Sequence, residues 1–301
     1  MNNARKNGII IINKEDGLSS FAVVSRVRRI MGVEKAGHTG TLDPMATGVL
    51  PVLIGRAVKA SEYMLTSDKH YIAVLLLGIT TDTEDITGEI LTKSDNVPSE
   101  DDVLSAIGSM VGDSEQIPPM YSALKVGGKK LCDLARRGET VEREPRPITV
   151  YGIAAKKLSE REYELDVRCS KGTYIRTLCA DIGKKLGVGA VMKTLVRAEA
   201  SGFTLDDAVT LGELEKMTAE ERDGKIVPIE YIFRDKRKVT LSPFFARLAR
   251  CGVEIYLKKI GVEAERGERF AMYDEEGFFA LGEVREFENG LAIKPIKQFA
   301  E

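Results

Sequence analysis

Isoleucine fills positions 9–12, and this unbroken apolar run predicts a short buried strand over residues 8–13. The turn Lys14-Glu15-Asp16-Gly17 ends it, and the apolar period then changes. Val23, Val24, Val27, Ile30 and Met31 recur at helical spacing, with Ser20 read as the N-cap and Gly32 as the stop. A mostly apolar strand is expected over residues 71–79, followed by a polar, acidic loop and hairpin around Thr87 and Gly88, with no site residue. Ser99 caps a helix to Val111, with Val103, Leu104, Ile107, Met110 and Val111 inward. Strands are expected over 148–158 and 163–169. A helix then carries Ile175, Leu178, Cys179, Ile182 and Leu186 inward and closes at Gly187. Beyond the charged run at 234–238, Ser242-Pro243 starts a short helix, and Gly-rich strands follow at about 269–273, 278–284 and 291–295. The charged run sets a domain boundary, giving units 1–234 and 238–301.

One stretch breaks this pattern. GHTGTLDPMATGVLPVLIGR, residues 37–56, mixes four glycines with Thr39, Thr41 and Thr47 around a single acid, Asp43. Between Glu34 and Glu62 no other carboxylate occurs. Pro44 biases Asp43 away from helical geometry, so the carboxylate belongs on an extended loop. Two readings stay open on spacing alone: a reactive carboxylate held among small residues, or an Asx-type turn former. A phosphate cradle fits poorly, because no Lys follows these glycines and an acid inside the loop repels phosphate.

Composition narrows the classes. With 44 basic and 46 acidic residues in 301, the chain is nearly neutral, but the charge is unevenly spread. Residues 1–60 hold nine Lys/Arg against four acids, and residues 77–116 hold one against ten. Such a split suits one basic face for a polyanion, and equally a set of solvated acidic loops. Arg26, Arg28 and Arg29 lie off the apolar face of their helix, available to phosphates or simply solvated. Cys132, Cys169, Cys179 and Cys251 are scattered, with only two histidines in the chain, which argues against a zinc site and a disulfide framework. No run approaches membrane-spanning length, and a soluble, cytoplasmic protein is expected.

The segment GHTGTLDPMATGVLPVLIGRAVK resembles the catalytic motif of the tRNA pseudouridine synthases of the TruB type. The likeness runs from about Gly8 to Arg197. It implies an α+β catalytic domain on a mixed, mainly antiparallel sheet, closed by a small C-terminal β-barrel (PUA-like) RNA-binding module. The implied reaction isomerises uridine 55 of the tRNA T loop to pseudouridine. By resemblance Asp43 is the nucleophile, Arg176 its partner, Tyr71 the active-site tyrosine, and Leu195 an apolar residue against the target base. His38 matches the motif histidine, and Lys14 and Gly17 match a first motif in which Glu15 replaces the usual proline. On residues alone, a tyrosine opening a strand is more often a half-buried packing residue, and it is the resemblance that reverses this for Tyr71. Segment 117–150 carries seven Lys/Arg against four acids and a short amphipathic helix over 131–137. It resembles the family's RNA-gripping insertion, with Tyr121, Lys125, Lys129, Lys130, Arg136 and Arg137 offered to phosphates or bases, or else a basic surface hairpin.

The chemistry implied is redox-neutral, so no cofactor and no metal are expected. The expected partner is the T arm of tRNA, without a membrane and without an obligatory protein partner, for a monomer. Arg176 is expected to hold Asp43 ionised by lowering its pKa. A guide-RNA-dependent synthase and a tRNA-folding chaperone remain as alternatives.

Overall fold

The computed structural model describes residues 6–65 and 67–300. Its organising element is a nine-stranded mixed sheet. Along the main path the strands run Gly8–Lys14, Thr47–Ile54, Ala190–Ala200, Lys69–Leu77, Glu162–Cys169, Arg146–Lys157 and Gly112–Gln116. Short strands Ala36–His38 and Phe203–Thr204 pair at the side. Among the described residues of this sheet, only the pairing of Thr47–Ile54 with Ala190–Ala200 is parallel.

The isoleucine run is buried on both faces of this sheet. Ile10 and Ile12 join a core with Val23, Val27, Leu178 and Ile182 from the helices Ser20–Met31 and Ile175–Lys185. Ile9 and Ile11 face the other way, toward Phe203, Phe233, Ala271, Leu281 and Phe299. Period-two geometry sends alternate side chains to opposite faces, so a strand covered on both sides needs apolar residues throughout.

That second core brings in the C-terminal unit. Its strands run in the order Arg237–Thr240, Arg269–Asp274, Gly277–Phe287, Gly290–Gln298 and Ile255–Tyr256. The sheet curls into a five-stranded half-barrel, consistent with the small PUA-like β module expected. Phe233 fixes it to the larger unit through rings of Tyr63, Phe278 and Phe299, at centroid distances of 5.1, 5.6 and 5.4 Å.

Several expectations shift in detail. The N-cap of the first helix is Ser19, whose side chain accepts from the Ala22 amide, and Ser20 is buried inside the first turn. The strand expected to run to Ile79 stops at Leu77, and Gly78 bends the chain before Ile79–Thr81. The helix Glu100–Gly108 buries Val103, Ala106 and Ile107, while Leu104 and Val111 are exposed. Gly112–Gln116, too polar to announce itself, forms the edge strand. Among the described residues, no helix is long and apolar enough to cross a membrane.

Candidate active site

Asp43 sits on the extended connection between the strands Ala36–His38 and Thr47–Ile54. Nearly every carbonyl near it has a donor. Lys14 Nζ donates to Pro44 O at 2.8 Å, Ala46 O at 2.5 Å and Glu15 O at 3.0 Å. Ser20 Oγ donates to Leu42 O at 3.0 Å and accepts from Leu42 N at 2.8 Å. The Gly17 amide donates to Pro44 O and the Ala46 amide to Asp43 O. Arg197 adds Nε to Val49 O at 2.8 Å and Nη2 to Gly40 O at 3.2 Å. Gly48 is required beneath this: at φ +102°, a Cβ there would lie 2.3 Å from the Arg197 carbonyl oxygen. The loop is clamped from three separate elements.

Lys14 therefore lies under the loop, with 0 % exposure, rather than on a surface that RNA reaches. Burial pushes its ammonium down to about 8.

Arg176 projects from the first turn of Ile175–Lys185 onto Asp43. Its Nε lies 2.9 Å from Asp43 Oδ2, and its Nη2 donates to Asp43 Oδ1 at 3.3 Å. This two-point geometry is what a guanidinium provides and an ammonium does not. The remaining donors are anchored on Thr83 O at 3.0 Å and Tyr121 O at 2.8 Å. The helix start is itself fixed by Gln116, whose amide nitrogen donates to Tyr174 O and whose amide oxygen accepts from Tyr174 N. An arginine in a first helical turn is mismatched with the dipole; here the fork on Asp43 offsets that.

A second acid completes the arrangement. Asp85 is buried, and its Oδ2 lies 3.9 Å from Arg176 Nη1. Its Oδ1 accepts from Thr83 Oγ1, Thr87 N and Thr87 Oγ1 at 2.8, 2.9 and 2.6 Å. The acidic run 80–98 reads along the chain as a loop without a site residue, and Asp85 corrects that. Its neighbours Thr83 and Thr87 are the signal: hydroxyls two residues away on both sides can desolvate and hold one carboxylate. Next to it Glu84 takes φ 63°, and its carboxylate accepts from Thr177 Oγ1 at 2.6 Å.

The electrostatics of Asp43 differ from expectation. Burial pushes its carboxyl above the usual range, Asp85 adds to that, and Arg176 and then Lys14 oppose it. The net direction is upward, because the enclosure outweighs one guanidinium that is shared with two carbonyls and a second acid.

Tyr71 and Leu195 both belong to the buried core that also holds Leu42 and Ala46 from the Asp43 loop. Tyr71 pairs across the strands with Arg197, and Leu195 with Ala73. Burial raises the Tyr71 hydroxyl, with Arg197 acting against the rise. His38 is half-buried, its Nδ1 has no partner among the described residues, and burial, assisted by Arg197, pushes its imidazole down. His70 stands apart, paired with Asp166 at 2.7 Å.

The basic segment is of another kind. Lys125–Val126 and Lys129–Lys130 form a hairpin turned by Gly127 and Gly128, both at positive φ. Lys125, Lys129, Lys130, Arg136 and Arg137 are all exposed. Tyr121 links the segment to the site: its carbonyl receives Arg176, and its hydroxyl donates to Asp82 Oδ2 at 3.0 Å.

The site thus pairs an aspartate with an arginine beside a nine-stranded mixed sheet, and comparison with known proteins gives its class, a pseudouridine synthase. Residues 28–175 match the TruB family pseudouridylate synthase N-terminal domain, and residues 176–234 match the tRNA pseudouridylate synthase B C-terminal domain. The chain is 43% identical to the tRNA pseudouridine synthase B of Alkaliphilus oremlandii, over 93% of this chain and 93% of that one. It is 42% identical to that of Clostridium perfringens (strain 13 / Type A), over 96% and 98%. Among solved structures, an H/ACA RNP bound to a substrate RNA containing 2'-deoxyuridine superimposes with TM-score 0.72 at 25% identity, covering 98% of this chain and 85% of that one. A Cbf5-Nop10-Gar1 complex gives 0.71 at 27%, covering 97% and 84%. The chain belongs to the TruB family of pseudouridylate synthases.

Proposed function

We propose that this protein isomerises uridine 55 in the T loop of tRNA to pseudouridine, with Asp43 as the nucleophile. The observation that carries the reading is the two-point hold of Arg176 on Asp43, on a loop clamped from three separate elements. A carboxylate nucleophile divides a difficult rearrangement into covalent steps. Here it is presented part-exposed, with 31% of its side-chain surface open, while its guanidinium partner is closed off at 5%. The target uridine is flipped out of its stack, at a cost of about a few kcal/mol, and lies between Tyr71 and Leu195. Uracil leaves C1′, turns, and rejoins through C5. The proton lost from C5 is balanced by the one gained at N1, so no oxidant, metal or cofactor is called for. Tyr71 is the nearest group to move that C5 proton, and His38 fills the space the base vacates.

The exposed lysines and arginines of 117–150 hold the T arm by its phosphates. Lys125 pairs directly opposite Lys130, a like-charge juxtaposition that is unfavourable alone and relieved by a polyanion. Residues 1–234 act as the catalytic domain, and 238–301 as a PUA-like RNA-binding module. The protein acts in the cytoplasm as a monomer, without an obligatory protein partner.

A guide-RNA-dependent synthase is the second reading, favoured by the superposition on H/ACA complexes. The full-length identity to tRNA pseudouridine synthases B, 43% and 42%, weighs more than the 25% and 27% to those structures. Incubating the purified protein with an unmodified tRNA transcript, followed by pseudouridine mapping, decides. Modification at position 55 without any guide RNA is expected. Product elsewhere, or only when a guide RNA is added, overturns the reading.

A further inference from the structure

Arg197 is 1% exposed, yet it forms no ion pair with a carboxylate among the described residues. Burying a guanidinium in this way is expensive unless its charge is used. Two of its donors go to the Val49 and Gly40 carbonyls, which fixes the plane of the fork. Backbone hydrogen bonds alone do not require a full charge; an asparagine or glutamine amide also donates to carbonyls. The backbone register places Arg197 opposite Tyr71 on one side and opposite Gly48 on the other. Gly48, whose missing Cβ lets the strands approach, brings the arginine tight against the loop that carries Asp43. The arginine is thus wedged between the reactive loop and the tyrosine.

We propose that Arg197 is a positioning residue for the reaction, its fixed guanidinium supporting negative charge on the Tyr71 hydroxyl while the C5 proton is moved. The proposal rests on the reading of Tyr71 as the proton-moving group. In the step concerned, the Tyr71 hydroxyl has first given its proton to water, and the phenolate oxygen takes the proton from C5. The C5–H electron pair forms the C5–C6 double bond, the C6–N1 π pair moves to N1, and N1 takes a proton from water. Negative charge therefore sits on the Tyr71 oxygen before the transfer, in a site where burial disfavours it. Arg197 counters the burial, while Asp43 and Cys169 face the same hydroxyl and work against ionisation. Cys169 is itself a neutral thiol, pushed up to about 11 by burial. The same guanidinium field reaches the neighbouring bases: it helps to lower Lys14, His38 and Lys69. Burial is the larger cause in all three, and the Arg197 charge adds to it.

The test measures single-turnover rates at saturating enzyme on an unmodified tRNA transcript, across pH 6–10, together with tRNA affinity. Four proteins are compared: wild type, Arg197→Lys, Arg197→Met and Tyr71→Phe. For Arg197→Met a rate loss of about 10- to 100-fold at neutral pH is expected, within the range of a general base. Its rate should keep rising about one pH unit or more beyond the point where wild type levels off, because the tyrosine loses its stabilising charge. Arg197→Lys, keeping charge without the fork, should fall between the two in rate and in pH. Affinity for tRNA should stay within about threefold, since a buried side chain touches no RNA. A rate loss equal at every pH in both arginine variants, with Tyr71→Phe inactive, overturns the proposal and leaves Arg197 as a loop clamp. If Arg197→Met does not fold, Arg197→Lys alone carries the test, and an unmoved pH limb with a reduced rate is the contrary result. A near wild-type rate for Tyr71→Phe overturns the functional reading of the tyrosine instead, whatever the arginine variants do.

Discussion

The Asp43 loop and the Lys125–Lys130 hairpin are both rich in glycine and both face RNA in the proposed function, but they are built on opposite principles. Around Asp43 the carbonyls of Gly40, Leu42, Pro44, Ala46 and Val49 are each held by a side chain from a distant part of the chain. The hairpin has its own two-residue pairing and exposed cations. Its glycines open a turn, whereas Gly48 lets two backbones meet. Chemistry on a base demands a nucleophile placed to a fraction of an ångström, so its surroundings are over-determined. Gripping a phosphate backbone demands charge that adapts, so the lysines stay solvated. In the proposed function, rate belongs to the first region and affinity to the second.

The comparison breaks first at Asp43. Asp43→Asn should abolish detectable product, a loss of at least about 10³-fold, because an amide cannot serve as the nucleophile. Single-turnover assays read this directly.

A smaller effect, about 10²- to 10³-fold, is expected for Arg176→Met, and Arg176→Lys should not restore the rate because the fork is gone. The pH profile gives the sign. Asp43 must be ionised to react, and burial already lifts its carboxyl while Arg176 opposes the lift. Removing Arg176 raises it further, so the acid limb of the rate moves to higher pH. A limb that stays in place, or moves down, contradicts the pairing.

In the hairpin and the short helix end that follows it, changing Lys129, Lys130, Arg136 and Arg137 together to Ala should weaken tRNA binding by about 10- to 100-fold at moderate salt. For every phosphate left without its cation, the slope of log affinity against log salt should become shallower by about 0.7–0.9. An unchanged slope makes these residues solvated surface only.

The smallest effect is at Ser20. Ser20→Ala leaves the Leu42 amide and carbonyl without their partner, for a cost of about 1–3 kcal/mol in thermal or denaturant unfolding. The rate should drop by about tenfold or less, since Lys14 still clamps the loop.

Much of this is legible along the chain, and the exceptions share a physical cause. The isoleucine run, the helix ending at Gly32 and the isolated Asp43 each follow from local chemistry that one stretch contains. Ser19 and Ser20 are adjacent candidates for one cap, and only the tertiary bonding of Ser20 to Leu42 separates them. Asp85 stays hidden because a carboxylate among acids and threonines looks like a solvated loop until Arg176, 91 positions later in the chain, is brought to 3.9 Å. Gly112–Gln116 is polar because it is the sheet edge, where one face meets water. Nothing local in the sequence marks Arg197 as buried, and its partners lie on the Asp43 loop and on two other strands. In each case the decisive partner is distant in sequence.

The division of labour is tested most directly by one paired measurement. Single-turnover rate and dissociation constant are determined for Asp43→Asn and for the four-residue alanine variant on the same unmodified tRNA transcript. A crossover is predicted: Asp43→Asn loses the rate and keeps affinity within about threefold, while the alanine variant loses affinity and, at saturating enzyme, keeps the rate within about threefold. Rate and affinity falling together in either variant would contradict the account.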